Sequence, residues 1–371
     1  MTHLRTRSTT ITPGTVASRP ALRVGRFSGV WRPRLILITL LGVGLVVLLA
    51  ALNIGRGDYP ISLVDVLRTM VGGGDGAQRF IVLELRLPRT LTGILVGAAL
   101  GVAGAITQSI ARNPLASPDM LGVTDGASAA AVLFIVLGGG ATAGIGGALG
   151  GLGTLGVPAA ALGGGLFAAV LVYGLAYRRG LDGYRLVLVG LGIEAVGLSI
   201  TSWLLVIAKI DEAGQVLVWM RGSLNARGWE HVIPVGAALV LLVPVALILT
   251  FRLNALQLDD DAARGLGVTV NRSRTVLVLL AVLLAAVATA CAGPIRFVAL
   301  VVPQISLRMV GASRPPLLTS AVYGALLTVG SDLIGRTLFG DQLPVGIITM
   351  VLGAPYLLYL LVRRNRGVTT A

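Results

Sequence analysis

Two apolar runs, VIPVGAALVLLVPVALILTF (Val232–Phe251) and TVLVLLAVLLAAVATACAG (Thr275–Gly293), enclose a polar island, RLNALQLDDDAARGLGVTVNRSR (Arg252–Arg274). Each run is close to the 20 or so residues that a membrane-spanning helix needs. The island carries Arg252, Asp259, Asp260, Asp261, Arg264, Arg272 and Arg274. A segment so charged cannot rest in hydrocarbon, so it must emerge from the membrane. Its centre, Asp259–Leu266, reads as a short helix closed by Gly267, the usual residue past a helix end. The island is therefore a surface built to be gripped.

The same apolar pattern repeats along the chain. Ten spans can be drawn at 35–52, 88–108, 118–137, 157–177, 186–208, 233–251, 275–293, 295–312, 316–338 and 345–362. Only Gly293-Pro294 separates the seventh from the eighth. Charged residues make up 12% of the chain, about half the share in a soluble domain. The fold class is all-α polytopic membrane protein. A β-barrel would instead show segments of about 10 residues of alternating polarity.

Orientation follows from the basic residues, since arginine and lysine accumulate on the cytoplasmic side. With the N-terminus inside, 20 of the 30 fall inside, including Arg112, Arg178, Arg179, Arg252, Arg274 and Arg308. Arg56, Arg86, Arg89, Lys209, Arg227 and Arg336 are among those outside. Both termini are thus expected in the cytoplasm. Residues 1–34 form a basic tail expected to lack structure and able to meet anionic lipid. Residues 35–362 form the membrane domain with loop 252–274, and 363–371 a C-terminal tail. The first apolar run lacks a small-residue cleavage site and precedes further spans, so it reads as an anchor rather than a signal peptide.

Much chemistry is absent. Cys291 stands alone in an apolar run, and the two histidines are His3 and His231, with no metal-ligand spacing. The only lysine, Lys209, has no glycine loop, and no G-x-x-x-x-G-K-[ST] occurs, so the chain cannot cradle nucleotide phosphates by that route. GLGTLG (Gly151–Gly156) matches G-x-G-x-x-G, but no strand precedes it and no βαβ unit surrounds it. It is a false match within the glycine-rich segment Gly138–Gly156. No nucleophile–base arrangement is available. No catalysis by the chain alone is expected, and no cofactor or metal bound by it; a transporter or channel subunit remains.

Charges inside spans are costly and call for an explanation. Glu194, Asp332 and Asp125 lie within spans five, nine and three. Each has two readings: the lining of a translocation path, or a buried carboxylate satisfied by neighbouring helices. Gly97, Gly101 and Gly104 recur along span two, as in closely packed membrane helices.

Several blocks carry a specific resemblance. They are LRLPRTLTGILVGAALGVAGAITQ (Leu85–Gln108), RNPLASPDMLGVTDGA (Arg112–Ala127), GPIRFVALVVPQISLRMVG (Gly293–Gly311) and SDLIGRTLFGDQLPVGIITMVLGAPYLLYLL (Ser331–Leu361). In sequence and order they resemble the FecCD/BtuC-type permeases, the membrane subunits of bacterial importers for iron–siderophores, haem and cobalamin. The signature positions are Asn113, Pro114, Pro118, Gly122, Gly293, Pro294, Pro303, Pro344 and Gly346. The resemblance implies about ten transmembrane helices in a BtuC-like fold. It also gives the island a role. Asp261-Ala262-Ala263 with Gly267 resembles the E-A-A-x-x-x-G motif that couples such permeases to a cytoplasmic ATPase. Asp260, Asp261, Ala262, Ala263, Arg264 and Gly267 are the implied coupling residues.

Further roles follow from the resemblance. Arg86, Arg89 and Arg336 match outer-face positions at which the family meets glutamates of a substrate-binding protein; helix-end snorkelling is the alternative. Glu194 and Asp332, singled out above by the cost of their charge, and Gln304 are the candidate path residues. The chain departs from the family's P-H-I-A-R and E-L-P-V-G at Gln304 and Gln342. The P-Q-I form and GSLNARGW (Gly222–Trp229) resemble the catecholate-siderophore branch, in which two different permeases pair. The implied function is import of a ferric siderophore across the cytoplasmic membrane. The implied partners are a P-loop ATPase dimer carrying ATP and magnesium, an extracytoplasmic binding lipoprotein and a second permease, with no nucleic acid. Cobalamin or haem import by the same family stays open. So do an ion-coupled secondary transporter using Glu194 or Asp332, and a non-transporting membrane scaffold.

Overall fold

In the computed structural model, residues 21–24, 27–30, 32–57, 59–137, 156–177, 183–338 and 343–366 are described. The chain is a helical bundle, preceded by a small hairpin of β1 (Ala21–Val24) and β2 (Phe27–Val30) paired antiparallel with Val24 opposite Phe27. This differs from the expectation of an unstructured tail at residues 21–24 and 27–30. The periodicity that marks helices does not register so short a pair. Residues 1–20 lie outside the described part.

The first long helix, α1 (Pro33–Gly55), opens on proline, whose fixed φ and missing N–H suit a first turn. A short α2 (Leu63–Met70) follows, with Ser62 capping it through the Asp65 amide. Next comes one continuous rod. It starts as α3 (Gly76–Arg79), passes through a π-helical segment (Phe80–Arg86) and continues as α4 (Leu87–Ala111). A 3₁₀ turn (Pro118–Leu121) leads into α5 (Val123–Leu137). Then come α6 (Gly156–Ala176), α7 (Gly183–Ile207), α8 (Ile210–Met220) and α9 (Trp229–Ile248). Short α10 (Thr250–Ala255) and α11 (Asp260–Gly265) lie in the polar island. The chain ends with α12 (Val270–Ala292), α13 (Val298–Val310), α14 (Leu317–Thr337) and α15 (Val345–Arg366).

Among the described residues, seven helices are long and apolar enough to cross a membrane, and three shorter apolar helices begin at Val123, Val298 and Val345. Each of the ten predicted spans falls on one of these ten helices. The centre of the bundle is α4 with α12, whose side chains are mostly buried, whereas α1 leaves most of its apolar surface exposed. Exposed leucine and valine on α1, α7 and α9 are normal for helices whose solvent is lipid.

Close packing explains the glycines of α4. A Cβ at Gly97 would stand 2.3 Å from Gly324 O, at Gly101 2.1 Å from Ser320 O, and at Gly104 1.8 Å from Ala299 O. Backbones of α4, α13 and α14 therefore touch where any side chain would separate them. The break between α12 and α13 is an extended segment, Gly293–Phe297, rather than a tight turn. Gly293 (φ 74°) and Phe297 (φ 71°) both lie in the left-handed region, which costs Phe297 local strain.

Candidate functional site

The polar island stands at one end of the bundle, beside the C-terminus of α4. Asp259 precedes α11 in extended conformation, and Gly267 (φ 78°) follows its end. The Gly267 amide donates to Arg264 O and the Val268 amide to Ala263 O, closing the helix as a left-handed glycine does. One side of α11 is rooted: Ala263, Leu253, Leu256, Val268 and Val270 are buried in the main core. The other side is open: Asp261, Ala262 and Gly265 are exposed, with Leu258 and Leu266 beside them. The coupling residues thus divide. Ala263 anchors, while Asp261, Ala262, Arg264 and Gly267 are on the exposed surface.

Asp260 points the other way from Asp261. It accepts from Arg112 Nη2 at 2.5 Å and from Arg274 Nη2 at 3.1 Å. Arg112, left-handed at the end of α4 (φ 50°), also donates through Nε to Leu256 O at 2.8 Å. Two arginines from α4 and α12 therefore strut the base of α11. Partial burial pushes the Asp260 carboxyl up, but the two guanidiniums more than offset this and hold it below its usual value. Among the described residues, Asp261 pairs with its own helix neighbour Arg264 alone, an exposed contact worth little. Arg112 and Arg274 count in the sequence only as cytoplasmic charge. Their role has no local signal, because the partner is 148 residues from Arg112.

The opposite end collects arginines. Arg86 is 8% exposed and donates to Ile54 O at 2.8 Å and Tyr59 O at 2.7 Å. Arg89 forks onto Asp332, with Nη2 at 2.7 Å from Oδ1 and Nε at 3.2 Å from Oδ2. Asn53 Nδ2 donates to the same carboxylate at 3.0 Å, and Asn53 Oδ1 accepts from Arg336 Nη1 at 2.9 Å. Arg336 also donates to Arg56 O at 2.8 Å. The chain Arg89–Asp332–Asn53–Arg336 ties α4, α14 and α1 together, and Arg86 and Arg336 satisfy carbonyls at or just past the C-terminal end of α1.

Within the chain, Arg86 and Arg89 thus have internal partners. Asp332 is a buried ion-pair partner: its side chain has no exposed surface, and removing a carboxylate from water requires such a partner. Arg336 is half-buried and stays at this surface beside exposed Arg56.

Between the two ends, Arg296 on the Gly293–Phe297 segment donates to Asp125 Oδ1 at 2.7 Å. Asp125 is buried in the first turn of α5, and Thr124 donates to Asp119 one turn earlier. Glu194 on α7 is half-buried and close enough to act on Asp125 through charge. Asp119 and Arg296 were not among the expected site residues, although both lie within blocks that carry the resemblance. Gln304 donates to Gln108 Oε1 at 2.7 Å, and Gln108 donates to Leu300 O at 2.8 Å. This buried amide pair joins α4 to α13. Of the signature residues, Gly346 has no room for a side chain, since a Cβ there would stand 2.0 Å from Arg221 O. Gly122 ends the 3₁₀ turn at φ 69°. Gln342, the false nucleotide motif up to Leu155 and the last five residues of the C-terminal tail lie outside the described residues.

Comparison with known proteins covers nearly the whole molecule. Residues 45–363 match the FecCD transport family. The chain is 38% identical to the ferric enterobactin transport system permease protein FepG of Escherichia coli, over 90% of this chain and 98% of that protein. It is 36% identical to the probable siderophore transport system permease protein YfhA of Bacillus subtilis, over 93% of this chain and 99% of that one. Among solved structures, it resembles a metal-chelate type ABC transporter in an inward-facing conformation. The TM-score is 0.76 and the identity 28%, covering 89% of this chain and 99% of the other.

Proposed function

Because the chain belongs to the FecCD transport family, we propose that it is the membrane permease subunit of an ABC importer that takes up ferric siderophore across the cytoplasmic membrane. The observation that carries this reading is α11, a short helix rooted by Ala263, strutted by Arg112 and Arg274, and open along Asp261, Ala262 and Leu266. Such a helix transmits a push instead of absorbing it.

The reading takes ten crossings, seven by the long helices and three by the helices beginning at Val123, Val298 and Val345. Both termini and the island then lie in the cytoplasm, with most of the basic residues. A separate ATPase pair grips α11 and supplies the ATP and magnesium chemistry that this chain has no motif to perform. Closure of that pair biases inward- against outward-facing states, and cargo loading must alter nucleotide affinity in return. On the far side, Arg336 and exposed Arg56 remain as contacts for a binding protein. A second, different permease completes the path, as the resemblance of Gly222–Trp229 to the catecholate-siderophore branch implies.

Reconstitution with the cognate ATPase, binding protein and second permease tests this. ATP-dependent uptake of the ferric chelate is expected, with loss of coupled transport when Asp261–Gly267 is replaced by a glycine–serine linker. Uptake without ATP, or unchanged coupling after the replacement, overturns it. The Arg89–Asp332 pair weighs against the rival ion-coupled reading at that carboxylate.

A further inference from the structure

A cavity of about 430 Å³ opens between α8 and the segment Arg221–Gly228, with Gln215, Trp219, Ser223, Asn225 and Arg227 in its wall. That volume falls within the usual range for small-molecule sites, roughly 300–1,000 Å³. The cavity belongs to the arginine-rich end of the bundle, opposite α11, because Trp229 nearby donates to Leu83 O just before Arg86.

Its electrostatics are unusual. Arg227 donates through Nε to Ser223 O at 3.3 Å and meets His231 Nε2 at 3.0 Å through Nη1. Among the described residues no carboxylate pairs with it. The nearby Glu230 carboxylate turns to His231 Nδ1 at 3.1 Å instead. Burial lowers the Arg227 pKa, partly offset by the nearby Glu230 carboxylate. A partly buried guanidinium whose direct hydrogen-bond partners are neutral has incomplete charge compensation. Gln215, Ser223 and Asn225 give the wall further polar groups, and Trp219 gives it an aromatic one.

We propose that this cavity is an entry subsite for an anionic metal chelate. Arg227 balances the negative charge, Trp219 offers an aromatic face, and the side-chain amides of Gln215 and Asn225 meet the polar groups of the chelator. The proposal rests on the permease reading and extends it, because it makes this chain, besides the binding protein, selective for the sign of the cargo. Its chemistry is cation–anion pairing in a partly dry pocket with an aromatic wall.

The test uses the assembled transporter in lipid nanodiscs and two probes, anionic ferric tris-catecholate and neutral ferric tris-acetohydroxamate. Quenching of tryptophan fluorescence reports binding, and Trp219→Phe identifies the local signal. Arg227→Gln is expected to weaken the anionic complex by roughly tenfold to a hundredfold, the usual range for a hydrogen bond to a charged group. It should leave the neutral probe unchanged. Arg227→Lys should restore most of the affinity, and added salt should weaken only the anionic complex. Unfolding midpoints verify that the variants fold; if Arg227→Gln does not, Arg227→Lys and Asn225→Ala carry the comparison. Equal loss for both probes, or no loss for either, overturns the proposal. So does absence of chelate binding in a transporter that still imports with ATP, and the permease reading then stands. Absence of ATP-driven import removes both.

Discussion

Arg112 Nη2 and Asp260 Oδ1 meet at 2.5 Å across the seam between the end of α4 and the base of α11. Both side chains remain over one-third exposed, so the pair stabilises the fold by at most about 1 kcal/mol. Its importance is in direction. With Arg274 it fixes the angle at which α11 leaves the bundle. Arg112→Ala and Asp260→Asn should therefore shift the unfolding midpoint little, while lowering coupled transport several-fold. ATP hydrolysis should continue with less response to cargo. Parallel transport and ATPase assays on the reconstituted complex give the ratio, and an unchanged ratio would show that the struts are decorative.

The same two arginines set a pH expectation. The Asp260 pKa is depressed below its usual 3.8, so its ionised, strutted form is favoured above that value and lost only as pH falls through the still lower folded-state pKa. Across pH 5–8 the group stays charged. ATPase binding measured over that window should show no step attributable to Asp260, and Asp260→Asn should weaken binding by the same factor throughout. A wild-type titration near neutral pH that vanishes in Asp260→Asn would contradict the strut geometry.

What the sequence made legible divides along a physical line. Apolar runs and small-residue repeats are local, so the ten apolar helices and the Gly97, Gly101 and Gly104 face could be read directly. The island could be read too, since its charge and its closing glycine are neighbours in the chain. Pairings between distant residues could not. Nothing near Arg89 indicates that its partner is Asp332, 243 residues away, and an arginine at a helix end looks the same whether it snorkels, docks or pairs. Asn53, just past the first predicted span, gives no hint of linking Asp332 to Arg336. Arg227 likewise sits in a recognisable motif whose cavity exists only in three dimensions.

The Arg89–Asp332 pair should behave as a buried structural ion pair. Asp332→Asn or Arg89→Ala leaves one group uncompensated and should cost about 3–5 kcal/mol. The double variant Arg89→Met with Asp332→Leu should recover most of that, because two desolvation penalties disappear together. Thermal unfolding in detergent measures all three. If Asp332→Asn is as stable as wild type yet abolishes a pH-dependent step of uptake, the carboxylate is a proton site after all.

The sharpest packing prediction concerns Gly104. An alanine Cβ there would lie 1.8 Å from the Ala299 carbonyl oxygen and 2.6 Å from its carbon, and neither atom belongs to a side chain that can rotate away. Relief requires α4 and α13 to part, which pulls on the Gln108–Gln304 bond one turn along the same seam. Overpacking of this kind typically costs about 1–3 kcal/mol, and a backbone obstacle places Gly104→Ala at the upper end. At Gly44 on α1 and Gly163 on α6, an added methyl group would meet nothing within 4 Å, so alanine there should be neutral or slightly stabilising through higher helix propensity. Unfolding midpoints of the three variants in one detergent make the comparison. Equal midpoints would mean that α4 and α13 are not pressed together in the membrane as they are here.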